Sequence, residues 1–238
     1  MMKGLEAHPN LKELTVNGIP ISKHPSWMKR ENDHMPSILD NLVRLELSYL
    51  PNCESLPALG DLPRLEHLKI LMLPRLKRIT EEFYALSSRK NIISCDGKEI
   101  VSIFPVLKTL ELGYMRYLQE WSIRIVAASI SVQVRVCPCL ETVKMTTMPG
   151  LDHFPNLIIS SDEKQKHSSE VSALSSNIHH NQPLYFQSLQ TLEMWECFML
   201  TSWICKLIPS SAPLDNLKIA AEPEFWPKDL HHLINIKN

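Results

Sequence analysis

Glycine is scarce in this chain of 238 residues, which contains only six glycines. A phosphate-binding loop needs the pattern G-x-x-x-x-G-K-[ST], because glycines let the backbone amides surround a phosphate group. Gly97-Lys98 is the nearest approach, but Ile92 stands where the first glycine belongs and Glu99 replaces the hydroxyl residue. The sequence therefore contains no phosphate-binding loop of this type.

Long apolar runs, a secretory leader and an excess of charge are also lacking. No stretch approaches the roughly 18 apolar residues that a membrane helix needs, and the opening MMKGLEAHPN has no apolar signal region. No N-x-S/T sequon occurs. The formal net charge of -1 gives no reason from composition to expect nucleic acid or an anionic membrane as a partner. These features favour an intracellular, cytoplasmic protein with no membrane span and no nucleic-acid partner.

The sequence also lacks the usual signatures of metal sites and catalysis. Six cysteines in a chain of this length form no disulfide framework, and Cys53 and Cys197 follow strand patterns where a small buried residue is expected. The Cys-Pro-Cys segment at 137–139 is too closely spaced for a zinc pair, and the histidine pairs at 179–180 and 231–232 lack companion ligands. No nucleophile elbow is found. We therefore expect no catalytic, metal-binding or cofactor-binding residue, and no enzyme.

What the chain does contain is a recurring pattern, L-x-x-L-x-L. It occupies residues 42–47 as LVRLEL and returns 23 positions later, at 65–70, as LEHLKI. This period is typical of leucine-rich repeats. The alternating apolar residues predict a short strand with one face in a core, and one copy cannot bury its leucines unless further copies stack on it. Strand copies are predicted near 11–16, 42–47, 65–70, 107–112, 140–145, 189–194 and 214–219, with a degenerate copy at 230–236.

The repeats predict one domain over residues 1–238 with an α/β fold. We expect a leucine-rich-repeat solenoid, or horseshoe, with a parallel β-sheet on the concave face and irregular loops or short helical turns on the convex face. Apolar residues follow the strands at fixed offsets, and Trp121 and Phe154 are predicted to close the core on the convex side. Two polar stretches, about 85–102 and 160–183, are predicted to be flexible insertions, because the pattern resumes in phase after each of them.

Charges alternate along the predicted concave face. In register, the residues between the last two apolar strand positions are Thr15, Glu46, Lys69, Glu111, Lys144, Glu193 and Lys218, and from Glu46 onward the sign of the charge alternates at every repeat. This pattern indicates either a ligand surface or a solvated face on which like charges are kept apart. Exposed aromatics and methionine nearby are typical of protein-binding surfaces, although they could also pack on adjacent turns. The candidate partner-binding residues are Arg44, Glu46, Tyr49, His67, Lys69, Met72, Glu111, Tyr114, Lys144, Glu193, Trp195 and Lys218.

Several segments, in a fixed order, carry a resemblance to a known family. They are HPSWM at 24–28, the C-x-x-L-P-x-L-G-x-L-P-x-L segment at 53–65, EEFY at 81–84, and FPVLKTLELGYMRYLQEW at 104–121. Together they resemble the leucine-rich-repeat region of plant nucleotide-binding, leucine-rich-repeat disease-resistance proteins of the coiled-coil class. The resemblance covers about residues 9–157, and the remainder matches through the repeat pattern alone.

This resemblance implies a protein-recognition region of a plant immune receptor. Such a region would sense a pathogen effector or a guarded host protein, and would make autoinhibitory contact with a nucleotide-binding domain. The motifs of that domain do not occur in this sequence, so ATP or ADP would enter only through it and no residue here is assigned to them. The alternative is a free-standing leucine-rich-repeat adaptor, such as the substrate-recognition module of a ubiquitin ligase, which an upstream F-box would favour.

Overall fold

The computed structural model describes residues 8, 10–20, 39–86, 92–95, 98–127, 132–151, 156–161, 184–197, 208 and 211–220. The predicted copy at 230–236, most of the predicted insertion at 160–183 and the predicted core aromatic Phe154 lie outside these residues. Within them the elements are all β-strands, which run in chain order as β1 Glu13–Asn17, β2 Arg44–Ser48, β3 His67–Leu71, β4 Arg78–Ile79, β5 Ile92–Cys95, β6 Lys98–Ile103, β7 Thr109–Gly113, β8 Glu120–Ala127, β9 Val132–Val136, β10 Thr142–Thr146, β11 Asn156–Ser161, β12 Leu184–Tyr185, β13 Thr191–Trp195 and β14 Asn216–Ala220.

A seven-stranded parallel sheet is the main element, with strand order β1-β2-β3-β7-β10-β13-β14. Each of its strands begins inside one of the predicted L-x-x-L-x-L copies. The pairing register runs without a shift, so that Leu45 lies opposite Leu68 in the next strand, and Val143 lies opposite Leu192 further along the sheet. The parallel sheet predicted from the repeats is therefore present, as expected of a leucine-rich-repeat fold.

One continuous hydrophobic core lies against this sheet. Leu45, Leu68, Val143 and Leu192 are each at most 1% exposed, because alternate residues of every strand point to the same side. Burying a leucine in this way contributes roughly 1.5 to 3 kcal/mol per side chain. The aligned leucines therefore tie each repeat to its neighbours, whereas Leu217 in the edge strand β14 is only partly buried.

The return path of the chain differs from the prediction. Two smaller sheets lie there, one with the order β11-β8-β4 and the other with the order β12-β9-β6-β5. Irregular loops or short helical turns were expected on this side, but the described residues contain no helix, and so that expectation is not supported. The physical reason is visible in β8, whose sequence EWSIRIVA is rich in β-branched residues that favour strands. Trp121 and Ile123 from this strand enter the core at 3% and 0% exposure.

A hairpin lies within the first predicted insertion, at about 85–102. Strands β5 and β6 pair antiparallel, and β6 then pairs parallel with β9 of the following repeat. The backbone of residues 98–103 is thus part of a sheet, while the predicted flexibility of the insertion as a whole stays a prediction.

The E-F-Y segment packs beneath the first repeats. Trp121 Nε1 donates a hydrogen bond to the Tyr84 hydroxyl, and the rings of Phe83 and Phe104 lie 5.3 Å apart. The carbonyl of Phe83 accepts hydrogen bonds from the amides of Leu59 and Gly60, at 2.9 and 3.0 Å. A Cβ at Gly60 would lie 2.4 Å from the Tyr84 carbonyl oxygen, so the close approach of the two segments requires glycine at this position.

Left-handed residues mark the ends of the strands in the main sheet. The residue directly after each of the first six strands has a positive φ, between 48° and 70°. Its amide donates a hydrogen bond to the carbonyl of the last residue of the next strand. Two examples are Tyr114 N to Thr146 O and Thr147 N to Trp195 O, both at 2.8 Å. We call these residues the corner row: Gly18, Tyr49, Met72, Tyr114, Thr147 and Glu196.

Candidate protein-binding face

The side of the seven-stranded sheet that faces away from the core carries the candidate residues, and we call it the open face. Nine of them lie in the strands: Arg44, Glu46, His67, Lys69, Glu111, Lys144, Glu193, Trp195 and Lys218. The other three belong to the corner row: Tyr49, Met72 and Tyr114. All of the candidates are exposed or half-buried, because they alternate with the leucines that fill the core.

The alternating charges form one column across the open face. The register places Glu46 opposite Lys69, Lys69 opposite Glu111, Lys144 opposite Glu193, and Glu193 opposite Lys218. We call this column the charge ladder: Glu46, Lys69, Glu111, Lys144, Glu193 and Lys218. Since each charge has an opposite charge on the adjacent strand, the ladder as a whole is neutral.

Ion pairs in the ladder are unequal in length. Lys69 Nζ lies 4.0 Å from Glu46 Oε1 and 3.8 Å from Glu111 Oε1. Lys144 Nζ and Lys218 Nζ lie closer to the two carboxylate oxygens of Glu193, at 3.2 and 3.0 Å. The Glu193 side chain is only 16% exposed, and hydrogen bonds from Lys218 and then Lys144 lower the pKa of its carboxyl group. Glu193 is therefore the most firmly held charge of the ladder.

A second set of ion pairs lies where the strands begin. Arg44 Nε is 3.7 Å from Glu13 Oε1, and Lys108 Nζ donates to Glu66 Oε2 at 2.8 Å. That hydrogen bond lowers the pKa of Glu66 and raises the pKa of Lys108. Partial burial, followed by the charge of Arg44, lowers the pKa of His67 below its ordinary value of 6.5. His67 is therefore mostly neutral at pH 7 and adds little charge to the open face.

Large aromatic side chains stand out from this otherwise balanced surface. Tyr49 is 57% exposed, and Tyr114 and Trp195 are each 46% exposed. Tyr49 and Tyr114 occupy equivalent places in the corner row, whereas Trp195 lies opposite Thr146 and so sits one position earlier. The three follow or end strands β2, β7 and β13, which are alternate strands in the sheet order. The aromatics are therefore separated by two strand spacings each.

Tyr117 is an exposed aromatic that the sequence reasoning missed. It is 54% exposed and lies in the turn after β7. A signal for it existed, because Met115 and Leu118 are the apolar residues that follow this strand at the fixed offsets, and both are fully buried. Residues between two such core positions must face outward. Tyr117 lies off the corner row.

Three of the described cysteines are buried, and burial makes their thiols hard to ionise. Burial raises the thiol pKa of Cys53 and Cys197 to about 11 and that of Cys137 to about 12, whereas Cys139 is exposed. Among the residues that the structure describes, no cluster of three or more His, Cys, Asp or Glu side chains could hold a metal ion. In the same part of the chain, no helix is long and apolar enough to cross a membrane.

Comparisons with known proteins match part of the chain. Residues 1–73 match the family described as R13L1/DRL21 leucine-rich repeats. Over 70 residues, the chain is 36% identical to disease resistance protein RGA2 of Solanum bulbocastanum, covering 29% of this chain and 7% of that protein. RGA1 of the same plant is 36% identical over 70 residues, with 29% of this chain and 6% of RGA1 covered. No solved structure matches the chain.

These matches agree with the resemblance carried by the sequence motifs. The matched segment includes strands β1, β2 and β3, whose leucines form the start of the common core. The 70 residues aligned with the two relatives span only 6 to 7% of the length of RGA1 and RGA2. The family match, the names of the relatives and the parallel sheet together confirm that this chain resembles the leucine-rich-repeat region of plant disease-resistance proteins.

Proposed function

We propose that this chain is the protein-recognition module of a plant immune receptor and that its open face makes the contact. The observation that carries the proposal is the presence of exposed Tyr49, Tyr114 and Trp195 on a sheet face whose charges neutralise one another. Rigid aromatic side chains supply contact area at little entropic cost and are enriched at protein interfaces. A neutral ladder adds no strong field of its own, so the aromatics provide the affinity.

The proposal has further parts, which rest on the resemblance. The module senses a pathogen effector or a guarded host protein, and in the resting receptor it makes an autoinhibitory contact with a nucleotide-binding domain. ATP or ADP binds in that domain, and no residue of this chain takes part in catalysis, metal binding or cofactor binding. The repeats continue as one horseshoe-shaped solenoid over residues 1–238, with the open face on the concave side, and the protein acts in the cytoplasm.

The autoinhibitory contact offers a direct test. The full chain is mixed with a purified nucleotide-binding region from a receptor of this family, and the dissociation constant is measured by calorimetry. The double variant Tyr114→Ala/Trp195→Ala should bind roughly tenfold or more weakly, since it removes two central anchors. The matched control Tyr117→Ala removes an equally exposed tyrosine outside the corner row and should bind as the parent does.

Stability has to be compared alongside binding. Each variant is melted first, and equal melting temperatures show that a loss of binding does not come from unfolding. If the parent binds and the double variant binds equally well, the open face is not the recognition surface. If the parent does not bind the nucleotide-binding region at all, the autoinhibitory part of the proposal is wrong.

A further inference from the structure

Three residues of the corner row lie on adjacent strands and have large apolar or aromatic side chains. Tyr49, Met72 and Tyr114 directly follow β2, β3 and β7, which are consecutive in the sheet order. Their φ angles are 53°, 57° and 56°, and neighbouring strands lie about 4.8 Å apart. Because register and backbone conformation are shared, the three side chains leave the chain in similar directions as one row.

Leu71 extends this row onto the open face. It ends β3, lies opposite Ser48 on one side and Gly113 on the other, and is half-buried. A Cβ at Gly113 would lie 3.2 Å from Leu71 Cδ2, so the leucine packs against the position where β7 has no side chain. We call the resulting set the apolar strip: Tyr49, Leu71, Met72 and Tyr114.

The chemistry of the corner row changes at both ends of the apolar strip. Gly18 at one end carries no side chain. Beyond Tyr114 the row continues with Thr147, whose hydroxyl donates a hydrogen bond to Glu196 Oε2 at 2.8 Å. Trp195 lies two strands from β7 and one position earlier in register, so it is not a member of the strip. Within the described corner row, the apolar surface is therefore confined to β2, β3 and β7.

Ladder charges beside the strip balance one another. Glu46 and Glu111 share Lys69 at 4.0 and 3.8 Å, and Lys144 lies opposite Glu111 on its other side. The two carboxylates and two lysines on these four strands sum to zero. The ladder therefore favours neither an acidic nor a basic partner at this place.

The turns after the strands carry the other charges close to the strip. Glu54 Oε1 lies 3.9 Å from Arg75 Nη1, which makes a second neutral pair. Arg116 is exposed, but the chain enters the core at the fully buried Met115 between Tyr114 and Arg116. The strip itself contains no charged group. A charged partner side chain would lose its water there without gaining an opposite charge.

We propose that the apolar strip binds a segment of a partner protein whose contacting side chains are uncharged and aliphatic or aromatic. The inference rests on the proposed function and deepens it by naming the chemistry of the partner. Tyrosine rings supply contact area at little entropic cost, and the flexible Met72 side chain adapts to the shape that it meets. Affinity then comes from apolar burial, which salt does not screen.

The test selects binders from a phage-displayed library of random linear peptides. The full chain is the bait, and Tyr114→Asn removes binders that do not need the strip. Asparagine visits the left-handed conformation more readily than most residues, so the change deletes a side chain without straining the backbone. We expect the selected peptides to share uncharged aliphatic and aromatic residues and to bind Tyr49→Asn and Met72→Asn roughly tenfold or more weakly. The control Thr147→Asn makes the same change outside the strip and should bind within about twofold of the parent.

Salt and Arg116 then test the absence of charge in the contact. Anisotropy with a labelled selected peptide is measured at low salt and in 1 M salt, where the Debye length is about 3 Å. The affinity should weaken by no more than about twofold, and Arg116→Gln should leave it within the same range.

Four results would overturn the inference. They are a selection that enriches no peptide dependent on Tyr114, selected peptides that share a charged residue, an affinity that falls steeply with salt, and a loss in Thr147→Asn or Arg116→Gln as large as in Met72→Asn. If any of these occurs while contact with the nucleotide-binding region still depends on Tyr114 and Trp195, this inference is wrong and the proposed function stands. If the peptides behave as expected but the nucleotide-binding region does not bind, the inference stands and the autoinhibitory part of the proposed function is wrong.

Discussion

Removing the charge of Glu193 tests whether the charge ladder stabilises the sheet. Glu193→Gln keeps the shape of the side chain but abolishes the ion pairs to Lys144 and Lys218, at 3.2 and 3.0 Å. Partly exposed pairs are each worth roughly 0.2 to 1 kcal/mol, so the loss should be about 0.4 to 2 kcal/mol. For a protein of this size, this change corresponds to a fall in melting temperature of about 1 to 8 °C.

Because the loss of stability in Glu193→Gln is electrostatic, it should depend on both salt concentration and pH. In 1 M salt the Debye length shrinks to about 3 Å, so most of the difference between parent and variant should disappear. The pKa of Glu193 is held below its ordinary value of 4.5 in the folded protein. A carboxyl group with a lowered folded pKa contributes stability above its unfolded pKa, and that contribution is lost as the pH falls through the folded value. The difference should therefore be complete at pH 7 and shrink below about pH 4.5.

Urea melts of the parent, Glu193→Gln and a matched control decide the matter. The control is Glu13→Gln at the edge of the sheet, whose side chain is 72% exposed and whose pair with Arg44 is 3.7 Å long. This control should melt as the parent does, because long exposed pairs contribute little. The reasoning is refuted if both variants lose the same stability, or if the loss in Glu193→Gln is as large in 1 M salt and at pH 3 as it is in dilute buffer at pH 7.

Three further predictions concern the ladder, the packing and the thiols. Glu111→Lys would put three like charges on consecutive strands, so its melting temperature should fall by a few degrees at low salt and recover at high salt; no change at low salt would contradict the ladder. Gly60→Ala would place a Cβ 2.4 Å from the Tyr84 carbonyl oxygen. The free energy of unfolding measured in urea should therefore fall by about 2 to 4 kcal/mol. An unchanged free energy of unfolding would disprove the close contact. At pH 8, alkylation mapped by mass spectrometry should label Cys139 long before Cys137. Burial raises the pKa of the Cys137 thiol to about 12, which leaves about one part in ten thousand of it as the reactive thiolate. Equal labelling rates would show that Cys137 is not buried.

The seven-stranded sheet could be predicted because its signal is periodic. In a strand with one buried face, the positions of the leucines show which residues point into the core. A shift of one residue in the pairing register would expose every one of those leucines. Residues such as Leu45, Leu68 and Leu192 therefore fix both the existence of the strands and their register. The charge ladder follows from the same register, since Glu46 and Lys69 occupy the position between two core residues.

The small sheets on the return path could not be predicted in the same way. Strand β4 is only two residues long, and its pairing partner β8 lies in the next repeat, so no local alternation identifies it. Such short strands form because neighbouring repeats already bring their backbones together, and that effect of stacking is invisible in a single repeat. Trp195 illustrates a related limit of pattern, since it is exposed and aromatic like Tyr49 and Tyr114 but lies one residue earlier in register, opposite Thr146.

The corner row combines a uniform backbone with varied side chains. Its six residues share one left-handed conformation, and their amides make the same hydrogen bond to the next repeat. Glycine adopts this conformation without penalty, whereas other residues pay about 1 to 2 kcal/mol. Only position 18 of the row is glycine. The side chains at the other positions, Tyr49 and Tyr114 among them, therefore contribute an interaction that glycine cannot make. Since the backbone hydrogen bonds are the same with either residue, we expect that contribution to lie in what these side chains contact, in keeping with the proposal that the open face recognises its partner through exposed aromatics of this row rather than through the self-neutralising ladder.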